Sequence, residues 1–294
     1  MKIIRAAHLG MCFGVRDAID LALQQDPADP VTVLGDLVHN EVVLAELKAR
    51  GIRFETDLSL VATPRVMITA HGASQRTMRD IREHGLGLIE ATCPLVHSAH
   101  RAVAKMVQDG FHPVIIGRRD HVEVRGLTGD LEEFDVGLDE DDVAALRERP
   151  RFGVAAQTTQ PIDRVRLLVK LISEQFPRSQ VRFVDTVCRP TKERQTSAIA
   201  MARISDVVIV IGGAHSNNTQ ELVRTCARYC TRVHHVQTPS DLRSEWFEGA
   251  RTVGLTAGTS TPDSIIDAIE RRLRQMAEDN NSALSPASFD RHQS

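Results

Sequence analysis

Val207-Val208-Ile209-Val210-Ile211-Gly212-Gly213-Ala214-His215-Ser216-Asn217-Asn218 is the stretch on which the fold turns. Its unbroken Val/Ile run is too short to cross a bilayer and reads as a parallel strand buried on both faces. The run enters a glycine-containing turn and then, over 218–228, a stretch with helical periodicity. The same unit recurs along the chain. Predicted strand and helix pairs fall at 2–7 with 15–24, 31–34 with 41–50, 66–70 with 75–84 and 86–91 with 94–108. Others fall at 152–156 with 162–175, 181–185 with 190–203, and 252–255 with 262–276. Between them, 113–117 leads into what reads as a long loop through His121, Glu123 and Gly126. The rhythm is βαβ throughout, so the predicted class is α/β with mainly parallel sheets. Gly51, Gly85 and Gly110 stand where helices would close in a left-handed conformation, and Pro94, Pro190 and Pro262 at or near the first turn of three others.

A chain of 294 residues exceeds one hydrophobic core and predicts two or three packed units. Nine Phe, one Tyr and one Trp leave that core to be built from Val, Ile, Leu and Ala. With 36 basic and 39 acidic residues spread along the chain, no basic stripe suggests nucleic acid or an anionic membrane as partner. The first residues lack the long apolar run of a signal peptide, so the expected location is cytoplasmic. The polar stretch 278–294 reads as a flexible tail. Five cysteines, an odd number, argue against a disulfide framework and leave thiolate chemistry or metal ligation as the question.

Three of these cysteines share a context. Gly10-Met11-Cys12, Ala91-Thr92-Cys93 and Thr186-Val187-Cys188 each close a predicted strand and open a predicted helix. The intervals from 12 to 93 and from 93 to 188 each suit one α/β unit, which predicts three similar modules over 13–92, 93–184 and 185–277, the last joined by the N-terminal strand 1–12. A helix N-terminus favours a thiolate through its dipole and free N–H groups, which suits a metal ligand. Three such thiolates are one short of saturating a four-iron cluster, and the unfilled iron would be Lewis-acidic. Taken alone, each cysteine also reads as a small buried hydrophobe; the shared context favours ligation. Cys226 and Cys230, on one helical face without that context, read as packing residues.

Strand C-termini form the ligand face of open α/β sheets. There the sequence places His39, His71, His121, Glu123, Thr158, Thr159, Ser216, Asn217, Asn218 and Ser260. The three histidines can supply donors or charge for an anion. Ser216-Asn217-Asn218 and Ser260 read either as helix caps or as an anion cradle. Glu123 reads either as a loop acid or as a proton donor whose pKa an apolar cavity would raise. His97 and His100 read as a solvated face, as do His84, His112, His234, His235 and His292.

Together these residues resemble the 4-hydroxy-3-methylbut-2-enyl diphosphate reductase family. The motifs are Gly10-Met-Cys-Phe-Gly-Val15, Val38-His-Asn40, Ala70-His-Gly72, Ala91-Thr-Cys-Pro-Leu-Val96, His121-Val-Glu-Val-Arg-Gly126, Ala156-Gln-Thr-Thr-Gln160, Asp185-Thr-Val-Cys188, Ser216-Asn-Asn-Thr219 and Thr256-Ala-Gly-Thr-Ser-Thr-Pro-Asp263, in family order over residues 3 to 276. The resemblance implies three modules around a central iron–sulfur cavity, with one [4Fe-4S] cluster on Cys12, Cys93 and Cys188 and one open iron. It implies that His39, His71, His121, Ser216, Asn217, Asn218 and Ser260 surround an allylic diphosphate, that Thr158 orders the hydroxyl and water network, and that Glu123 relays protons. The implied reaction is reductive dehydration of that substrate to isopentenyl and dimethylallyl diphosphate, the last step of the methylerythritol phosphate route. No nucleotide-binding GxGxxG occurs at a suitable turn, so ferredoxin or flavodoxin is the expected electron donor.

Two positions depart from the family pattern. Val122 stands where Pro is common, losing a fixed φ, and Asn217 where a small Ser or Gly is usual, adding bulk beside the anion site. They leave open a divergent paralogue acting on another allylic diphosphate. A cluster-dependent hydratase or dehydratase, a non-catalytic redox sensor and a zinc hydrolase using the cysteines and His121 are the further alternatives.

Overall fold

The computed structural model describes residues 1–26 and 28–284. Its strands are β1 (Lys2–Arg5), β2 (Val31–Leu34), β3 (Arg53–Glu55), β4 (Arg65–Ile68), β5 (Gly87–Glu90), β6 (His112–Ile116), β7 (Asp135–Gly137), β8 (Arg151–Ala156), β9 (Gln180–Phe183), β10 (Val207–Ile211), β11 (Val233–Val236) and β12 (Thr252–Ala257). The helices are α1 (Phe13–Leu23), α2 (Glu41–Ala49), α3 (Gln75–Glu83), α4 (Pro94–Gln108), α5 (Val122–Thr128), α6 (Glu140–Ala144), α7 (Ile162–Gln175), α8 (Arg189–Ala202), α9 (Asn217–Ala227) and α10 (Asp263–Leu284).

The aliphatic run that opened the sequence reading becomes β10, every residue of it buried. Val207, Ile209 and Ile211 pack on one face with Leu255, Ile266, Ile269 and Leu273. Val208 and Val210 pack on the other with Ala198, Met201, Leu222, Cys226 and Cys230, so the last two cysteines are core residues. Burial on both faces is what a strand without polar alternation requires.

Three four-stranded sheets result, in the orders β3-β2-β4-β5, β7-β6-β8-β9 and β11-β10-β12-β1, and their strand pairs are all parallel. The α/β architecture with three similar modules is therefore present. Each sheet has the same topology: second strand, first, third, fourth. The last sheet obtains its fourth strand from the opposite end of the chain, since β1 pairs with β12 from Lys2↔Thr252 to Arg5↔Leu255.

Helix boundaries follow the local chemistry. Gly51, Gly85 and Gly110 have φ of 88°, 74° and 78°, the left-handed closure expected of them. Pro94 and Pro190 lie in the first turns of α4 and α8. The expected loop through His121 and Glu123 is instead α5, capped by the His121 ring, which accepts from the Glu123 N–H at 3.1 Å. Gly126, expected in that loop, lies within α5 and lets it approach the Ala73 backbone, 3.5 Å from where a Cβ would stand. β3, β7 and β11 were not anticipated, being short edge strands. α10 continues to Leu284, so the first part of the expected tail is helical; residues 285–294 and His292 lie outside the described residues. Several histidines expected in solvent are engaged. His112 pairs with Asp135 at 2.8 Å, His234 stacks on Trp246 at 4.0 Å, and the His235 ring donates to Gly212 O at 2.7 Å. His100 Nε2 is buried without a partner.

Candidate active site

The loops after the first, third and fourth strands of each sheet meet at one place. After the fourth strands β5, β9 and β1 come Cys93, Cys188 and Cys12, which stand at the N-cap positions of α4, α8 and α1. Each holds its loop identically. The Cys93 N–H donates to Ala70 O at 3.1 Å, that of Cys188 to Thr158 O at 3.0 Å and that of Cys12 to Thr259 O at 3.0 Å, all in loops after third strands. No thiol caps its own helix. The thiols instead line a largely apolar cavity with Leu95, Val96, Glu123 and Thr158. Gly14 opens the space: a Cβ there would lie 2.4 Å from Cys93 Sγ.

Burial pushes the Cys93 thiol up and Cys188 up to about 11, against backbone N–H groups and the Thr191 contact that favour the thiolate. The helix-end effect expected from sequence is present but outweighed while nothing ligates the sulfur. Among the described residues, no three His, Cys, Asp or Glu side chains are arranged to hold a single metal ion. A four-iron cluster spreads its thiolate ligands around a larger body. Three free cysteines at helix ends, uncommitted to capping, around a cavity kept open by Gly14, fit that group in number and chemistry.

Glu123, 1 % exposed, lines this cavity, which a polar one adjoins through His71 and Thr159. The Thr158 N–H and hydroxyl donate to its two oxygens at 2.6 and 3.1 Å. Burial nonetheless raises its pKa to about 7, so the carboxyl exchanges a proton near neutrality.

His39, His71, His121, Ser216, Asn217, Asn218 and Ser260 line the adjoining polar cavity, with Thr159 and Thr259. The His39 ring stacks on His71 at 4.3 Å, and His121 meets both edge-on at 5.1 and 5.6 Å. Burial lowers all three pKa values, His121 to about 3; repulsion from neighbouring rings adds to this at His71 and His121, and from Arg118 at His39. They are neutral when nothing is bound. Ser216 caps α9 by accepting from the Thr219 N–H at 3.3 Å, and Asn218 Oδ1 accepts from the Thr259 N–H at 3.0 Å. Ser260 Oγ donates to His39 O at 3.0 Å and Asn217 Nδ2 to Thr159 Oγ1 at 3.1 Å. His39 Nε2, Asn217 Oδ1 and Asn218 Nδ2 are buried without partners. Such groups are costly unless a ligand satisfies them. The cap and anion-cradle readings of Ser216 are thus compatible, because the cap fixes the loop that carries the unpartnered amides.

Sequence reasoning missed Asn40 and Arg194. Asn40 caps α2 and donates to Ser260 O at 2.9 Å, tying the first module to the third. Its position before Glu41, at the start of an apolar periodicity, was the available signal. Arg194, buried inside α8 beside the cysteine loops, carried none, since a helical arginine reads as solvent-facing.

Three thiols, a protonatable carboxyl and a wall of unpartnered polar groups meet across two adjoining cavities of one α/β fold. The chain belongs to the LytB protein family, whose model matches residues 3–274. It is 34% identical to the 4-hydroxy-3-methylbut-2-enyl diphosphate reductase of Pelobacter propionicus over 95% of this chain and 100% of the relative. It is 36% identical to the same-named protein of Trichlorobacter lovleyi over 96% of this chain and 100% of that one. Among solved structures, it matches the E-1-hydroxy-2-methyl-but-2-enyl-4-diphosphate reductase of Plasmodium falciparum with TM-score 0.84 at 25% identity, covering 97% of this chain and 88% of that one. A structure described as (E)-4-hydroxy-3-methyl-but-2-enyl diphosphate reductase, the terminal enzyme of the non-mevalonate pathway, matches with TM-score 0.65 at 32% identity, covering 94% and 100%.

Proposed function

We propose that this chain reduces (E)-4-hydroxy-3-methylbut-2-enyl diphosphate to isopentenyl and dimethylallyl diphosphate, taking two electrons and two protons and releasing water. The observation that carries this reading is a pair of adjoining cavities that share His71, Thr159 and Thr259 in their walls: the three thiols and Glu123 line one, the unpartnered polar groups the other. Cys12, Cys93 and Cys188 would hold a [4Fe-4S] cluster, which when bound supplies electrons and one Lewis-acidic iron. Ferredoxin or flavodoxin is the proposed electron donor. Five free cysteines support a cytoplasmic setting, and no described helix is long and apolar enough to cross a membrane.

His39 Nε2 and Asn218 Nδ2 bind the diphosphate by donating hydrogen bonds that nothing else among the described residues receives. Neutral imidazoles donate one N–H each; the anion's charge then favours their protonation, strengthening the grip. Glu123 holds a proton near neutral pH and, with the Thr158 hydroxyl 3.1 Å away, delivers it toward the departing hydroxyl. The apolar lining from Leu95 and Val96 limits competing water. Val122 does not disturb this set, since it occupies the first turn of an intact α5 with His121 as cap.

The test is anaerobic reconstitution with iron and sulfide, then assay with the hydroxylated butenyl diphosphate and a reduced dye. Brown protein that consumes substrate and dye is expected. Colourless protein, or brown protein inert toward this substrate, sinks the assignment; turnover without consumption of reductant would indicate a dehydratase.

A further inference from the structure

Arg194 lies on α8, 6 % exposed, with its guanidinium turned to the cysteine loops rather than to water. Its Nε and Nη2 both donate to Gly10 O, the Nε bond measuring 3.0 Å, and its Nη1 donates to Pro190 O at 3.0 Å. Gly10 immediately precedes the Met11–Cys12 turn, and Pro190 follows Cys188 within the first turn of α8. One side chain therefore ties the loop leaving β1 to the helix entered from β9.

All of these bonds go to carbonyls. Among the described residues no carboxylate bonds to Arg194; the neighbouring Glu193 attracts it only at longer range and is engaged by Arg189 at 2.6 Å. A buried cation so weakly compensated is expensive. The ligated sulfurs of Cys12 and Cys188, beside the carbonyls that its hydrogen bonds hold, would supply the missing negative charge.

We propose that Arg194 is the resident counter-charge of the cysteine site, a positioning residue that fixes the Cys12 and Cys188 loops and offsets the negative charge their ligated sulfurs bring. This rests on the cluster reading above. Two properties separate the roles. The charge makes electron uptake by the bound group easier, because reduction adds a negative charge beside a fixed positive one. The planar fork grips Gly10 O through two N–H groups while bonding Pro190 O in the first turn of its own helix, which a lysine ammonium cannot reproduce.

The experiment compares wild type, Arg194→Met and Arg194→Lys after anaerobic reconstitution with iron and sulfide. It measures iron content, iron release to a chelator, the reduction potential by dye titration, and the melting temperature of the metal-free proteins. For Arg194→Met, one-electron reduction is at least tenfold less favourable, about 59 mV lower in potential. Its iron release is at least tenfold faster, and its metal-free melting temperature is equal to or above wild type. For Arg194→Lys the potential stays near wild type while iron release accelerates. Arg194→Met with wild-type potential and release rate overturns the proposal. So does a large fall in metal-free stability with unchanged potential, which would mark a purely structural staple. Should Arg194→Met fail to fold, Arg194→Lys decides: wild-type release rates, or a potential as low as that of a charge loss, overturn it. Wild type that takes up no cluster removes the cluster reading and Arg194's role with it; loaded wild type beside an unaffected Arg194→Met removes only the latter.

Discussion

At the thiol end of the cavity, the loops after β1, β5 and β9 deliver the same residue in the same way: Cys12, Cys93 and Cys188, each at a helix N-cap and each anchored through its N–H to a third-strand loop. At the polar end, equivalent loops have diverged. Those after β2, β6 and β10 deliver His39, His121 and Ser216; those after β4, β8 and β12 deliver His71, Thr159 and Ser260. A repeated fold presents repeated positions, and what occupies them follows the symmetry of the ligand. In the proposed reading, three like thiols would hold one cluster, whereas an allylic diphosphate, different at its two ends, would meet positions that differ in kind.

The comparison breaks most visibly at the thiols. Cys188→Ser is expected to abolish turnover and cluster absorbance while far-ultraviolet circular dichroism stays native, since the thiol makes no cap bond; a brown, active variant would remove it from the ligand set. Next is Glu123→Gln, expected to keep iron and sulfide but lose turnover about a hundredfold or more. Its stability carries a sign as well. Glu123's pKa is raised from 4.5 to about 7, so its stabilising contribution is full below 4.5 and lost as pH rises through 7. The metal-free variant should therefore gain on wild type as pH rises through that window in denaturant titrations.

Gly14→Ala drives a methyl to within 2.4 Å of Cys93 Sγ and should weaken iron retention about tenfold to a hundredfold, read by chelator competition. At the polar end, Asn218→Ala strands the Thr259 N–H, which it now accepts from at 3.0 Å. A penalty of about 1–3 kcal/mol in diphosphate affinity with iron content unchanged is expected, measured by calorimetry with inorganic pyrophosphate. The smallest effect is pH. With His121 lowered from 6.5 to about 3 and His71 lowered too, folded protein stays neutral where unfolded chain protonates, so this contribution to stability is present above 6.5 and lost below it. Pyrophosphate lifts those pKa values, so its binding should take up protons and tighten as pH falls from about 8 to about 6. Affinity flat across that range would mean the imidazoles contribute only neutral hydrogen bonds.

Much of this was legible because burial on both faces leaves long aliphatic runs, and helix ends demand Gly, Pro and capping residues. The β8, α4 and α7 ranges follow directly from such signals. Short segments were not. The helix α5 spans few residues and contains Gly126, so its periodicity is too brief to register, and it forms because the His121 ring supplies a cap. His39, His71 and His121 stood out by following strands, whereas their mutual stacking joins loops distant in sequence. Arg194, His100 and His112 look like solvent-facing residues by spacing alone; only the packing of neighbouring elements encloses them.

One consequence concerns time rather than space. Because β1 finds its partner only in β12, from Lys2↔Thr252 onward, the first cysteine to be synthesised is the last to reach its place. Cys93 and Cys188 can be presented by sheets finished in mid-synthesis, but Cys12 waits for a strand near the end of the chain. Bringing the three thiols together therefore requires the chain through β12, and a chain truncated before β12 would carry Cys12, Cys93 and Cys188 without the strand that sets Cys12 beside the others.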